Sequence, residues 1–304
     1  MPGAADAAVT ARASAAGAAA GGYAEHLVPL RDGLRMYCRD YGRAEAGRPA
    51  VLCLPGLTRN CRDFENVARW LAPRHRVLTP DLRGRGRSDY DEVWQNYQPM
   101  TYAQDVGELL AALDAPRVVL LGTSLGGLIA MILALLQPAR LAAVLLNDIG
   151  PQIDPAGLAR IASYVGKLPP VTTWQEAAAQ MKLVNGLALP EYTDDDWLRF
   201  ARTTFRDDSS GRPLLDMDPR IGDAARQPPG GPPPDLWMLF RALQPLPTAV
   251  LRGELSDILS NDTVERMRAE KPDLRVTIVR GRGHAPTLDE ADSRAAIEDL
   301  LAAA

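Results

Sequence analysis

The chain has 304 residues, 46% hydrophobic and 24% charged, enough to bury the core of one large α/β domain carrying an insertion. The 34 Lys and Arg against 38 Asp and Glu leave a net charge of −4, and the positive charges do not cluster beyond Arg83-Gly-Arg-Gly-Arg87, which argues against a nucleic-acid partner. Three cysteines (Cys38, Cys53 and Cys61) with no C-x-x-C exclude a disulfide framework and point to a reducing compartment, so a cytoplasmic location is expected.

Residues 1–22 are Ala/Gly-rich, and Asp6, Arg12 and Ser14 interrupt the apolar middle that a signal peptide needs. A disordered tail is expected there, with a processed targeting segment as the alternative. Tyr23 to Tyr41 reads as two strands around the turn Arg31-Asp32-Gly33. "AVLCL" at 50–54 is a short apolar strand ending at Pro55-Gly56, and Phe64 to Leu71 has helical spacing. "RVLTPD" at 76–81 is the next strand. Thr101 to Leu113 is an amphipathic helix with Thr101 as its N-cap. "RVVLLG" at 117–122 leads into a helix over Ser124–Gln137, and "LAAVLLND" at 141–148 is again a strand. No apolar stretch reaches the ~18 residues of a membrane helix.

After Pro151 the alternation breaks. Residues 151–235 hold helix-like segments, Trp174, Trp197, Phe200 and Phe205, and the joints "TDDDW" and "RQPPGGPPPD", with no evident buried strand. "PTAVLRG" at 247–253 and "LRVTIVRG" at 274–281 resume the strands, each with a helix behind it. Short apolar strands alternating with helices predict a parallel sheet covered on both faces. The expected organisation is therefore an α/β core over 23–150 and 236–304, interrupted by a mainly helical insertion over 151–235.

The chemistry centres on "LLGTSLGG" at 120–127. A strand running into a helix through Gly-x-Ser-x-Gly makes a sharp turn with Ser124 exposed at the strand's C-terminal end. The following helix start offers the Leu125 backbone N–H to a developing oxyanion. A serine needs a base. Of three histidines, His26 lies in the N-terminal hairpin and His75 precedes a strand, at the wrong end of the sheet. His284 follows the last strand, in "RGRGHAPTLDE". A base of this kind needs an acid on its other nitrogen. Asp257, in "RGELSDILS", is favoured because its strand is nearest in sequence to the histidine loop; Asp148, ending the strand "LAAVLLND", is the rival. Asn261 or Asp262 is the expected cap of the helix that follows Asp257. Asp289 and Glu290 read as helix-start charges.

The order Ser124, Asp257, His284 and these segments resemble the α/β-hydrolase superfamily from about Tyr23 to the C-terminus. "LPGLTRN" at 54–60 stands where that family carries His-Gly-x, "DLRGRGRSD" at 81–89 resembles its D-x-R-G-x-G-x-S segment, and "GHAP" resembles its histidine loop. The resemblance implies an α/β-hydrolase fold with a mostly parallel central sheet and a helical cap over the strand ends. It implies the Leu57 N–H as the second oxyanion donor and a structural role for Arg83 to Ser88. Pro55 departs from the family by replacing the usual histidine. Ser124 separates the chain from haloalkane dehalogenases and epoxide hydrolases, which use aspartate there.

The expected function is a serine hydrolase cleaving a small carboxylic ester or lactone through an acyl-enzyme. The alternatives are a C–C bond hydrolase of a β-diketone or ring-cleavage product using the same three residues, a cofactor-free oxygenase or lyase on this fold, and a receptor that binds without turnover. No cofactor or metal is expected: there is no G-x-x-x-x-G-K-[ST] and no histidine-rich cluster. The partner is a small-molecule substrate, without nucleic acid or membrane, and the chain is a monomer or homodimer. Each cap aromatic and Met181 is expected to pack cap against core, with lining of an apolar substrate pocket as the alternative, and none is singled out.

Overall fold

Each strand of the centre alternates between two cores. In the computed structural model, which describes residues 22–227 and 235–304, Leu52, Leu120, Val144 and Leu146 face one hydrophobic cluster, while Val51, Cys53, Val119, Leu121, Ala143 and Leu145 face a second on the opposite side. A strand buried on both faces is what a period-2 element needs when it is apolar throughout. The tail expected over 1–22 falls outside the described residues except for Gly22, as does 228–234 of the Pro-rich joint.

The elements run β1 (Tyr23–Pro29), β2 (Arg35–Tyr41), β3 (Ala50–Leu54), α1 (Glu65–Leu71), β4 (Val77–Pro80), α2 (Pro99–Ala112), β5 (Val118–Thr123), α3 (Leu125–Leu136) and β6 (Leu141–Asn147). Then come α4 (Pro155–Tyr164), α5 (Trp174–Asn185), α6 (Asp194–Thr204), β7 (Phe205–Asp207), β8 (Pro213–Leu215), α7 (Arg220–Arg226) and α8 (Leu236–Arg241). The chain closes with β9 (Thr248–Gly253), α9 (Asn261–Glu270), β10 (Arg275–Val279) and α10 (Ala291–Leu301). The main sheet has eight strands in the order β1-β2-β4-β3-β5-β6-β9-β10. The β1–β2 and β2–β4 pairs are antiparallel and the rest are parallel. Parallel strands joined by helical crossovers align their C-terminal ends, and such ends are where α/β sheets collect ligand-binding loops.

Residues α2, α3, α8 and α9 contribute Leu109, Ile129, Phe240 and Met267 to the first cluster; α1 and α10 contribute Val67 and Ile297 to the second. Helix α2 begins two residues before the expected Thr101 cap, at Pro99 after Gln98. Proline at the first helical position loses no intrahelical bond, so it starts the helix where sequence periodicity shows nothing. Helix α9 is capped by Ser260, whose Oγ accepts from the Thr263 amide at 3.1 Å, so Asn261 and Asp262 lie inside the first turn and not at the cap.

Between β6 and β9, α4 and α7 pack on the first cluster through Ile161, Tyr164, Ile221 and Ala224, whereas α5, α6 and β7 build their own small core. Trp197, Met181, Phe205 and Ala177 are buried there together. Thr173 with Glu176 and Thr193 with Asp196 form capping boxes that start α5 and α6. The segment also contains a short antiparallel pair, β7–β8, which the sequence reading did not anticipate. Three-residue strands are too short to register a period.

Candidate functional site

Strand β5 delivers Ser124 through a turn that only glycine neighbours permit. A Cβ on Gly122 would lie 2.5 Å from the Gly126 backbone, and one on Gly126 would lie 2.2 Å from the Leu54 carbonyl oxygen. Ser124 itself sits at φ 52° and ψ −111°, a conformation that non-glycine residues rarely adopt. Its amide donates to the Asn147 carbonyl at 3.0 Å, so β6 holds the strained turn in place.

His284, on the loop after β10, brings Nε2 to 2.9 Å from Ser124 Oγ. Its Nδ1 lies 2.7 Å from Oδ2 of Asp148. A carboxylate only accepts, so Nδ1 carries the hydrogen and Nε2 is free to accept from the serine hydroxyl. Asp148 is fully buried at the end of β6, at φ 56°. Its Oδ1 accepts from the Gly253 amide at 2.7 Å and its Oδ2 from Ser256 Oγ at 2.6 Å. Ser256 Oγ in turn accepts from the amides of Ile258 and Leu259.

The acid favoured from sequence is therefore corrected. Asp257 does not touch His284. Its carboxylate accepts from Arg160 of α4, with Nε at 2.5 Å and Nη2 at 2.8 Å. That guanidinium holds the Asp257 carboxyl below the ordinary carboxylate value, against a smaller opposing effect of burial. The physical reason is the path of the loop after β10: it crosses β9 to reach the end of β6, where Asn147 Nδ2 donates to the Pro286 carbonyl, while Arg160 occupies the Asp257 carboxylate.

Helix α3 starts at Leu125, immediately after the serine, and its N-terminal amides face the turn. Among the described residues neither the Leu57 nor the Leu125 amide has a hydrogen-bond acceptor. The loop carrying Leu57 packs beside the serine, because a Cβ on Gly56 would lie 3.7 Å from Ser124 Cβ. Arg59, two residues on, grips Asp63, Thr203 and Thr204, and stacks on the Phe200 ring at 4.1 Å. Asn60 Nδ2 donates to the Thr203 carbonyl at 2.9 Å. The end of α6 is thereby tied to the loop beside Ser124.

Ser124 and His284 line a cavity of about 690 Å³, whose far wall includes Ile161, Tyr164, Tyr192 and Phe200. Of the four cap aromatics named from sequence, Phe200 lines it, beside Tyr164 and Tyr192. Trp197 and Phe205 instead pack inside the α5–α6 core, and Met181 lies there too, bordering a small side cavity of about 30 Å³.

The sequence alone did not single out Ser256 or Asn147. Asn147 Nδ2 donates to Thr123 Oγ1 at 3.0 Å and to the Pro286 carbonyl at 2.9 Å, joining the strand before the serine to the loop after the histidine. The signal available for it was a lone amide at the end of an otherwise apolar strand. Among the described residues no group of three or more His, Cys, Asp or Glu side chains is arranged to hold a metal ion.

Residues 51–297 match the model of the alpha/beta hydrolase family. The chain belongs to this family. A crystal structure of an alpha/beta hydrolase from Novosphingobium aromaticivorans superposes with a TM-score of 0.87 at 46% identity, covering 93% of this chain and 99% of that one. A 3-hydroxybutyrate-oligomer hydrolase from Cupriavidus necator is 33% identical over 83% of this chain and 88% of its own length. A 2-(acetamidomethylene)succinate hydrolase from Mesorhizobium japonicum is 26% identical over 80% of this chain and 84% of its own. As an alpha/beta hydrolase the protein has a hydrolase's fold and a small-molecule-sized cavity at the C-terminal ends of its strands. Among the described residues no helix is long and apolar enough to cross a membrane.

Proposed function

We propose that the protein is a serine hydrolase that cleaves short carboxylic esters through an acyl-enzyme, with Ser124 as nucleophile, His284 as base and Asp148 as the acid that orients it. The observation that carries this reading is the unbroken chain Ser124 Oγ, His284 Nε2, His284 Nδ1, Asp148 Oδ2, with contacts of 2.9 and 2.7 Å. As Ser124 Oγ attacks the ester carbonyl carbon, its proton passes to His284 Nε2. The carbonyl oxygen becomes an oxyanion accepting from the Leu57 and Leu125 amides, each worth roughly 3 kcal/mol of transition-state stabilisation. His284 then gives the proton to the departing alkoxide, leaving the acyl-enzyme and a free alcohol. A water entering the vacated space loses a proton to His284 and attacks the acyl carbon, and Ser124 recovers its proton as the acid departs.

The substrate class we favour is an oligoester of a short hydroxy acid. It is supported by the resemblance to the Cupriavidus necator oligomer hydrolase over most of both chains, and by a cavity large enough for several such units. The segments between β6 and β9 act in this reading as a cap that selects the substrate.

The test is turnover of p-nitrophenyl butyrate and 3-hydroxybutyrate dimers and trimers, with lactones and β-diketones alongside. Ester hydrolysis that Ser124→Ala lowers by about 10⁴-fold or more is the expected result. A fluorophosphonate should label the wild type once, at Ser124. Cleavage of only the β-diketones would replace the ester reading with C–C bond hydrolysis. Wild-type rates in Ser124→Ala would contradict nucleophilic catalysis by this serine.

A further inference from the structure

Two arginines of the Arg83–Arg87 run are buried, and they are satisfied in opposite ways. Arg83 is surrounded by carboxylates: Asp105 at 2.7 Å, Asp91 at 2.6 Å and Asp32 at 2.7 Å. Arg85 is fully buried, yet all its acceptors are neutral. Its Nε and Nη2 donate to the Leu57 carbonyl oxygen at 3.0 and 2.8 Å. Its Nη1 donates to the Arg83 carbonyl and to Tyr102 Oη, both at 2.7 Å. The Tyr102 ring lies beneath the guanidinium at 4.7 Å, with the Tyr97 ring at 5.9 Å. Among the described residues it forms no ion pair, in contrast to Arg83.

A buried cation without a counter-ion is costly, and hydrophobic side chains of similar volume would fill the same space at lower cost. What Arg85 does there is grip one backbone oxygen with two donors. We infer that Arg85 is a positioning residue for catalysis, its fork fixing the orientation of Leu57 so that the Leu57 amide points at the oxyanion. This inference rests on the acyl-transfer reading given above.

The geometry explains why an anchor is needed. Leu57 follows Gly56, which packs close to Ser124 (a Cβ there would lie 3.7 Å from Ser124 Cβ) and whose backbone freedom imposes little restraint on the loop. The Leu57 amide itself has no acceptor among the described residues to hold it. Clamping the carbonyl of the same residue restricts the rotations on both sides of the Leu57 Cα, and a planar guanidinium sets the direction as well as the distance. The Arg85 loop is itself fixed from the other side: the Gly86 amide donates to the Asp216 carbonyl at 3.0 Å, and the Asp218 amide to the Gly84 carbonyl at 2.8 Å. Arg85 does not touch the substrate. Its effect reaches the reacting oxygen only through Leu57.

The experiment compares wild type, Arg85→Lys and Ser124→Ala on p-nitrophenyl butyrate, and measures affinity for a trifluoromethyl ketone that forms a tetrahedral adduct on serine. Lysine keeps the charge and the stem but not the two-pronged grip. A misaimed oxyanion donor loses part of the 10²–10³-fold effect of removing one, so kcat for Arg85→Lys should fall roughly 10- to 100-fold, with KM within about twofold. Affinity for the ketone should fall by the same factor. Arg85→Ala provides a second variant, in which millimolar guanidinium should restore part of kcat and methylammonium should not. Unchanged kcat in Arg85→Lys, or a fall in kcat with unchanged ketone affinity, would overturn the inference. If Ser124→Ala retains the wild-type rate, the acyl-transfer reading fails instead; if it is inactive while Arg85→Lys matches wild type, only the role of Arg85 fails.

Discussion

Asp148 Oδ2 lies 2.7 Å from His284 Nδ1, on a carboxylate fully buried and already accepting from the Gly253 amide and Ser256 Oγ. Asp148 is thus held by β9 and its following loop although it directly follows β6 in the chain. Its donors keep the carboxylate oriented and its oxygen lone pairs satisfied in a site that water does not reach.

Removing the Ser256 hydroxyl should loosen that arrangement without dismantling it. A hydrogen bond to a charged group contributes about 1.5–3 kcal/mol. Ser256→Ala is expected to lower kcat by roughly tenfold with KM nearly unchanged, since the loss falls on the imidazolium formed in the transition state and not on substrate contacts. Steady-state kinetics on p-nitrophenyl butyrate checks this.

With Asp148 proposed as the acid, the Asp257–Arg160 pair is expected to contribute to stability and not to the reaction. Arg160 holds the Asp257 carboxyl below its ordinary value of 3.8. A depressed acid contributes stability that is present above the unfolded value and lost as pH falls through the folded one. Both side chains are about a third exposed, at 30% and 40%, so the contribution belongs to the small range of surface pairs, up to about 1 kcal/mol. Asp257→Asn should melt slightly lower than wild type at pH 7, and the difference should shrink as pH falls below 3.8 through the lowered folded-state value. Thermal melts across pH 2.5–8 measure it.

The turn glycines are predicted to be intolerant. A Cβ on Gly126 would meet the Leu54 carbonyl oxygen at 2.2 Å, and neither strand β3 nor helix α3 has room to retreat. Gly126→Ala should cost on the order of 1–3 kcal/mol by overpacking, and it should displace the Leu125 amide with it. Denaturant unfolding and kcat should therefore both fall, whereas Gly33→Ala, where a Cβ meets nothing within 4 Å, should leave kcat unchanged.

Most of the sheet was legible because its strands are apolar on both faces and bounded by turns, as "AVLCL" and "RVVLLG" illustrate. Ser124 was legible because its glycines are required by backbone contacts, and His284 because only three histidines compete. The acid was not. Both Asp148 and Asp257 follow strand ends, and sequence distance to the histidine favoured the one that does not hydrogen-bond to it. What decides between them is the path of the loop after β10, which crosses β9 to the end of β6, together with an Arg160 supplied from α4, and neither is written in a local pattern. Arg85 was hidden for a similar reason. Its run resembles a structural motif, and its bond to Leu57 spans parts of the chain that no periodicity connects.

The most direct test of the account sets Asp148→Asn against Asp257→Asn in one ester-hydrolysis assay. Asparagine at 148 would favour the wrong imidazole tautomer and remove the charge that stabilises the imidazolium, so kcat should fall by about 10³–10⁴-fold. Asp257→Asn should retain kcat within about threefold, because its carboxylate pairs with Arg160 and not with His284. The reverse pattern, with Asp257→Asn inactive and Asp148→Asn near wild type, would contradict the assignment of Asp148 and with it the proposed chain from Ser124 to its acid.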